Sequence, residues 1–424
     1  MNNRDQLALL PQTSHHPRLH AARWTREYLY CQLIPYIGNK RKLLPLIEQA
    51  IETTWPPCVP HHQASTLNHQ PVFLDAFAGS GVVSRLAKML GFRVISNDWE
   101  PYGFEINSAF VACNEPPEFA ALGGMVAAFE ALNNLPPIEG YFARHMCPAD
   151  DRNPDPERER MFFTHANGAK IDAMREEIER WDQEGLISRR EKSVLLAALI
   201  YSVSYVSNTS GVFKGFHRGW GGANGTALYR ILSDIQLSPP VFMDNASENE
   251  VLREDANELV RRVDADIIYL DPPYNQHQYG PNYHILNTVA LWDKPPVNPC
   301  ILVNGRKTDK SAIRRDWRAE RRSAYCYKET APAAFGQLVS DCRSRWVLVS
   351  YSTDGIIPLA EMLSILGKFG KLSAVNRRYK RYRVSPTRPS AQGYNTEFVL
   401  TLDKEGENGR SAEKLLGELM VDHL

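Results

Sequence analysis

Residues Val72 to Asn97 constrain the fold more than any other stretch of the chain. Val72-Phe-Leu-Asp75 has the length and composition of a short buried strand, and Asp75-Ala-Phe-Ala-Gly79-Ser-Gly81 turns it sharply. Ser84 to Leu90 then has helical spacing, Gly91 ends it, and Arg93 to Asn97 reads as a second strand. Crossover connections of this kind are right-handed and lay the helix on one face, so the second strand returns parallel to the first. The expected fold class is α/β, the start of a doubly wound parallel sheet.

The rest of the chain extends that reading. Lys42 to Ile47 opens a helix, with Pro45 tolerable in its first turn. Strands are expected again at Asp266–Leu270 and Trp346–Tyr351, and 372–402 reads as closing antiparallel strands. The middle changes character. Met125–Leu132, Ala169–Trp181 and the more apolar Lys192–Tyr205 look helical, around a proline- and charge-rich linker at 148–159 and a glycine-punctuated loop at 211–225. The expected organisation is a loose arm at 1–30, an α/β domain built from 31–114 and 241–403, a mainly helical insertion at 115–240, and a charged, helical tail at 404–424. A second insertion is expected at 293–330.

Composition narrows the class. Forty-nine basic and forty-nine acidic residues exclude a uniformly basic nucleic-acid coat, while leaving room for a locally basic face. Seven cysteines without a CxxC pair fit idle thiols in a reducing cytoplasm better than a disulfide framework. The first twenty residues have no apolar signal core, and Ser193–Val206, the most apolar stretch, is too short and interrupted to span a bilayer. A cytoplasmic protein without membrane association is expected.

The residues fit for chemistry sit at predicted strand ends. Asp271-Pro272-Pro273-Tyr274 follows the strand 266–270 directly, where ligands of open parallel sheets bind. Prolines stiffen the turn and donate no backbone hydrogen bonds, so a carboxylate and a rigid carbonyl form a two-acceptor fork for an exocyclic amine. Tyr274 adds a flat face for a base. A ligand-free, proline-stiffened surface turn is the plain alternative. Asp98 lies seventeen residues past Gly81 at the end of the next strand, where an acid accepts ribose hydroxyls. The third glycine of a dinucleotide fingerprint is missing, which favours a nucleoside without phosphates, such as S-adenosylmethionine. Taken alone, Tyr36-Ile-Gly-Asn-Lys40 is only a basic turn before a helix.

Tyr36-Ile-Gly-Asn-Lys40, then Asp75-Ala-Phe-Ala-Gly-Ser-Gly81, then Asp271-Pro-Pro-Tyr274, in that order, resembles the Dam-type (D12 class, alpha group) DNA adenine N6-methyltransferases. The resemblance spans about 32–112 and 250–400 and is weak between them. It implies a Rossmann-like class I methyltransferase sheet, with the 115–240 insertion as the target-recognition part, S-adenosylmethionine as cofactor and double-stranded DNA as substrate. By the same resemblance, Tyr36, Lys40 and the turn residues Asp75, Phe77, Gly79 and Gly81 line the cofactor site. Asp98 holds the ribose, Asp255 contacts the cofactor adenine, and Asp271 to Tyr274 hold the target adenine beside the cofactor. The stretch between Asp98 and Asp271 is longer than in compact members, so recognition elements do not carry over residue by residue. A restriction–modification system, with a cognate restriction endonuclease as partner, is the implied setting.

A base inside a duplex cannot meet a sulfonium methyl, so the adenine is expected to flip into a pocket. Eight basic and no acidic residues between Gly367 and Pro389, among them Arg377, Arg378, Lys380 and Arg381, suit phosphate contact. Lys214 and Arg218, in the glycine loop beside Trp220, are further candidates; a solvated face and a packed loop are the plain alternatives. No metal is expected, because His15, His16, His61, His62 and His69 lack ligand spacing. An RNA adenine methyltransferase would use the same residues. An idle DNA-binding module would not need Asp98 and Asp271–Tyr274 intact, and a hydride-transfer enzyme would need the missing glycine.

Overall fold

The computed structural model describes residues 23–55, 70–298, 301–303, 306–307, 310–380, 394–406 and 412–421. Its centre is a seven-stranded sheet of β1 (Val72–Asp75), β2 (Arg93–Asn97), β3 (Glu250–Leu252), β4 (Ile267–Leu270), β5 (Trp346–Ser352), β6 (Lys371–Lys380) and β7 (Tyr394–Asp403). The spatial order is β3-β2-β1-β4-β5-β7-β6. The first five strands pair in parallel, and β7 runs antiparallel to both β5 and β6. From β1 the chain moves outward to β2 and β3, then crosses back to β4 on the other side. Strand order therefore reverses at β1/β4, which opens a crevice at the carboxyl ends. The expected doubly wound, Rossmann-like sheet is present.

Alternate residues of each strand feed opposite faces. Phe73, Val94, Ile267 and Leu348 join one buried cluster, and Leu74, Ile95, Ile268 and Val347 join the other. With both faces covered, β1, β4 and β5 read as near-continuous apolar runs rather than alternating, which is why they were legible. Helices Leu44–Thr54 and Val82–Met89 cover the first face together with the middle helices His165–Gln183 and Arg189–Val206. Helices Ala331–Asp341 and Leu359–Leu366 cover the second, and the tail helix Ala412–Val421 adds Leu415 and Leu419 to it.

Three local outcomes differ from expectation. Part of the expected loose arm is core: Arg23–Tyr30 is a helix with Tyr28 and Leu29 buried, while 1–22 lie outside the described residues. Buried Arg85 anchors it, donating to the Tyr28 and Cys31 carbonyls at 3.1 Å and lying over the Phe110 ring at 3.5 Å. The apolar middle helix starts at Arg189 rather than Lys192, because Ser188 and Glu191 form a capping box. β3, three residues long at the sheet edge, carries too little apolar sequence to read as a strand. The histidines 15, 16, 61, 62 and 69 lie outside the described residues.

Candidate active site at the switch point of the sheet

A cavity opens across the carboxyl ends of β1, β2, β3 and β4. β1 leads to Phe77, β2 to Asp98, Trp99 and Glu100, β3 to Asp255 and Asn257, and β4 to Asp271–Tyr274. Tyr36, Gln278–Gly280 and Arg321–Tyr325 complete the wall.

The turn after β1 is shaped by close approach. Gly79 and Gly81 have φ of +54° and +77°, in the left-handed region. A Cβ on Gly79 would stand 2.8 Å from the Tyr36 ring, and one on Gly81 would collide with Asn107. Asn97 ties the strand ends together, donating to the Ala76 and Glu254 carbonyls at 3.1 Å and accepting from Glu254 N–H at 3.0 Å. Asp98 is buried in the wall. Its Oδ2 accepts from Gly79 N–H at 2.6 Å and its Oδ1 from Glu100 N–H at 2.8 Å. Burial raises its carboxyl to about 6, against the pull of those two bonds. Asp75 does not line the cavity. It lies beneath the turn, accepting from Ser84 Oγ at 2.7 Å, and burial raises its carboxyl to about 7. Gly79 and Gly81 likewise shape the turn from behind.

Asp271 and Lys40 form an ion pair, Nζ to Oδ1 at 2.9 Å, with Lys40 buried and Asp271 exposed by 16%. No described residue donates to Asp271 Oδ2 or to the Pro272 carbonyl, so these two acceptors remain for a ligand. Burial pushes the Asp271 carboxyl up and Lys40 opposes it. Burial pushes the Lys40 ammonium down, but Asp271, Tyr274 and Glu397 outweigh it and raise it overall. Lys40 therefore supports the Asp271–Tyr274 turn from behind rather than lining the cavity, standing 4.7 Å from the centre of the Tyr274 ring. Tyr274 packs edge-on against Tyr351 at 5.5 Å, and its carbonyl accepts from Ile356 N–H at 3.0 Å, which fixes the ring at the cavity.

Tyr36 links the turn after β1 to the segment after Tyr274. Its ring stacks on Tyr283 at 5.1 Å, Tyr283 OH accepts from Ile37 N–H at 2.8 Å, and Tyr279 OH donates to the Ile37 carbonyl at 3.1 Å. Across the cavity, Phe77 and Tyr325 meet edge to face at 5.5 Å. Tyr325 OH donates to Asn257 Oδ1 at 2.7 Å, and Asp255 caps the next short helix through one oxygen, bonded to Asn257 N–H at 2.8 Å. The other Asp255 oxygen accepts from no described residue. Trp99, 36% exposed, offers a flat apolar face here.

Sequence reasoning missed Trp99, Glu100, Asn257, Gln278 and Arg321–Tyr325. The first two had a signal, since they directly follow Asp98 and precede Pro101 at a helix start. Residues 321–325 had none, because only the tertiary fold carries them from the second insertion to the cavity.

The nucleic-acid candidates lie elsewhere. The glycine loop is anchored beside the site, with Phe213 N–H donating to the Asn282 carbonyl at 2.7 Å. Lys214 and Arg218 are exposed, and Arg218 pairs with Glu157 at 3.3 Å. Trp220 is packed, its indole N–H donating to the Asp151 carbonyl at 3.0 Å. Arg377 is exposed on β6, which also carries Arg378 and Lys380; Arg381 lies outside the described residues. Among the described residues, no group of His, Cys, Asp or Glu is arranged to hold a metal ion, and no helix is long and apolar enough to cross a membrane.

Comparison with known proteins agrees with this geometry. Residues 36–311 match the model of the D12 class N6 adenine-specific DNA methyltransferases. The chain is 31% identical to the type II methyltransferase M.NlaIII of Neisseria lactamica, over 86% of this chain and 96% of the relative. It is 32% identical to modification methylase LlaI of Lactococcus lactis subsp. lactis, over 87% of this chain, and to the type II methyltransferase M.FokI of Planomicrobium okeanokoites, over 81%. It spans about half the length of the latter two, 55% and 48%. With Asp271–Tyr274 and the turn after β1 facing one cavity, the chain belongs to the D12 class N6 adenine-specific DNA methyltransferase family.

Proposed function

We propose that the cavity binds S-adenosylmethionine next to a flipped-out adenine of double-stranded DNA, and that the protein is the modification enzyme of a restriction–modification system. The observation that carries this reading is the free acceptor pair, Asp271 Oδ2 and the Pro272 carbonyl, beside Tyr274 in a cavity that also contains Asp98 and Asp255. The order of Tyr36–Lys40 before the glycine turn and of Asp271–Tyr274 after it supports the Dam-type, alpha-group arrangement. The walls suit the cofactor: flat faces at Phe77, Tyr325 and Trp99 for its adenine, a spare Asp255 oxygen for that base's amine, and carboxylates along the wall for a cationic ligand.

When bound, the cofactor supplies a methyl group made electrophilic by its positive sulfur. The chain does the rest. Asp271 and the Pro272 carbonyl accept the two N6 hydrogens of the target base, which turns the nitrogen lone pair toward the methyl. Tyr274 holds the ring by stacking, and Pro273 keeps the turn rigid. Positioning for in-line transfer matters more than a strong base. Lys40 orients Asp271 and opposes the upward push of burial on its carboxyl. Asp98, through Gly79 N–H, holds the glycine turn around the ligand.

The remaining assignments follow from the same reading. The helices of 115–240 with the glycine loop act in target recognition. Lys214, Arg218, Arg377, Arg378, Lys380 and Arg381 meet phosphates, beside a cognate restriction endonuclease acting on the same sequence in the cytoplasm. The type II and modification-methylase names of the relatives support that setting.

Asp98→Ala should weaken S-adenosylmethionine binding at least about tenfold, since it removes charge-assisted bonds that shape the turn. Titration calorimetry on both proteins reads this directly, and an unchanged dissociation constant removes Asp98 from the site. The function is tested by mapping N6-methyladenine in host DNA with and without the gene. One sequence context should lose its methylation when the gene is deleted. Unchanged adenine methylation contradicts the proposal.

A further inference from the structure

We infer that Glu100, rather than Asp98 alone, presents the carboxylate oxygen that accepts a ribose hydroxyl of the cofactor. The inference rests on the reading of the cavity as an S-adenosylmethionine site.

Two carboxylates, Asp98 and Glu100, face the cavity two residues apart. Asp98 keeps a second lone pair on each oxygen, but both oxygens are already tied to the backbone of the turn. Each of its oxygens accepts a backbone N–H, from Gly79 at 2.6 Å and from Glu100 at 2.8 Å, and a Cβ on Gly103 would stand 2.8 Å from its carboxyl carbon. It is therefore built into the turn. Glu100 is held by one oxygen only. Oε2 accepts from Asn287 Nδ2 at 2.6 Å and lies 3.4 Å from Arg321 Nη1, whose guanidinium stacks on Trp317 at 4.3 Å. No described residue donates to Oε1. Glu100 is 6% exposed, and burial raises its carboxyl to about 7. A buried carboxylate pinned at one oxygen, with the other empty at a cavity wall, calls for a donor from the ligand.

Position selects which donor. Glu100 follows Trp99, the exposed flat residue, and the adenine-fitting features Asp255, Phe77 and Tyr325 share the same cavity. A ribose is joined directly to the base, so its hydroxyls emerge within one sugar's width of that wall. Arg321 already offsets part of the Glu100 charge, which suits a neutral hydroxyl better than the ammonium end of the ligand. Arg321 lies outside the 36–311 match, so this support comes from a part of the chain beyond the family model.

The test titrates S-adenosylhomocysteine and its 2′-deoxy and 3′-deoxy analogues into wild type, Glu100→Gln and Arg321→Met. Wild type should bind one deoxy analogue about tenfold more weakly than the parent, as expected for one hydrogen bond to a charged group. In Glu100→Gln the Asn287 and Arg321 donors hold the amide oxygen at the Oε2 position and leave the NH2 at the cavity, so this variant should bind the parent about tenfold more weakly and no longer distinguish that analogue. Arg321→Met, which keeps the carboxylate, should still distinguish it. Equal binding of all three ligands by wild type overturns the inference whatever the variants do, and so does full discrimination by Glu100→Gln. Wild type that binds none of the three overturns the cofactor reading itself, a distinct outcome.

Discussion

Replacing Asp271 with alanine is expected to reduce methyl transfer about 100-fold or more, the scale for loss of one well-placed polar contact at a reacting centre. Its Oδ2 and the Pro272 carbonyl are the acceptors proposed for the target amine, and the carbonyl alone cannot orient both N6 hydrogens. Duplex binding should survive, because affinity for DNA comes chiefly from phosphate contacts away from the cavity. Asp271→Asn should be milder, since an amide oxygen still accepts one hydrogen. Single-turnover transfer, with gel-shift binding as control, separates these effects. Loss of duplex binding in step with activity would move Asp271 from chemistry to structure.

Lys40→Met should cost roughly 3–5 kcal/mol of stability at neutral pH, because it leaves Asp271 charged and unpaired in a largely buried site. The pH dependence has a definite sign. With Lys40 gone, burial acts on Asp271 unopposed, so its carboxyl rises further above the ordinary range than it does beside Lys40. A carboxyl raised in the folded state destabilises wherever it is ionised, so stability falls as pH rises through its folded value. Urea denaturation at pH 5.5 and pH 8 should show a wider gap between wild type and variant at the higher pH. Lys40→Met combined with Asp271→Asn should recover only part of the loss, because Asp271 then leaves no buried charge unpaired while Glu397 still lacks its cation. A gap that is independent of pH would mean the lysine acts through packing of its stem.

The central sheet was legible because burial on both faces leaves an unambiguous apolar signal. β1 and β2 fall on the expected residues, β4 begins one residue later than read, and β5 ends one residue later. The Asp271–Tyr274 turn was legible for a different reason: two consecutive prolines after a strand have few other uses. What stayed hidden was what neighbouring elements create. The Arg23–Tyr30 helix is two turns long and owes its place to Arg85, fifty-five residues beyond its end. Ser188-x-x-Glu191 was a readable capping box, and it accounts for the earlier start of its helix. Lys40 reads as a cofactor contact in sequence, and only the fold reveals that it faces Asp271 from behind. Asp75 reads the same way, yet Ser84 claims it beneath the turn. Tyr325 and Arg321 reach the cavity from some fifty residues past Tyr274, a distance over which no local pattern carries information.

Methyl transfer to the amino nitrogen of a DNA adenine is the activity proposed for this cavity. The most direct test is to incubate the purified protein with tritium-methyl S-adenosylmethionine and duplex DNA, then digest the DNA to nucleosides and separate them. Label is expected in N6-methyl-2′-deoxyadenosine and should be lost in Asp271→Ala. Label in 5-methylcytosine, label accepted only by RNA, or full incorporation by Asp271→Ala would contradict it.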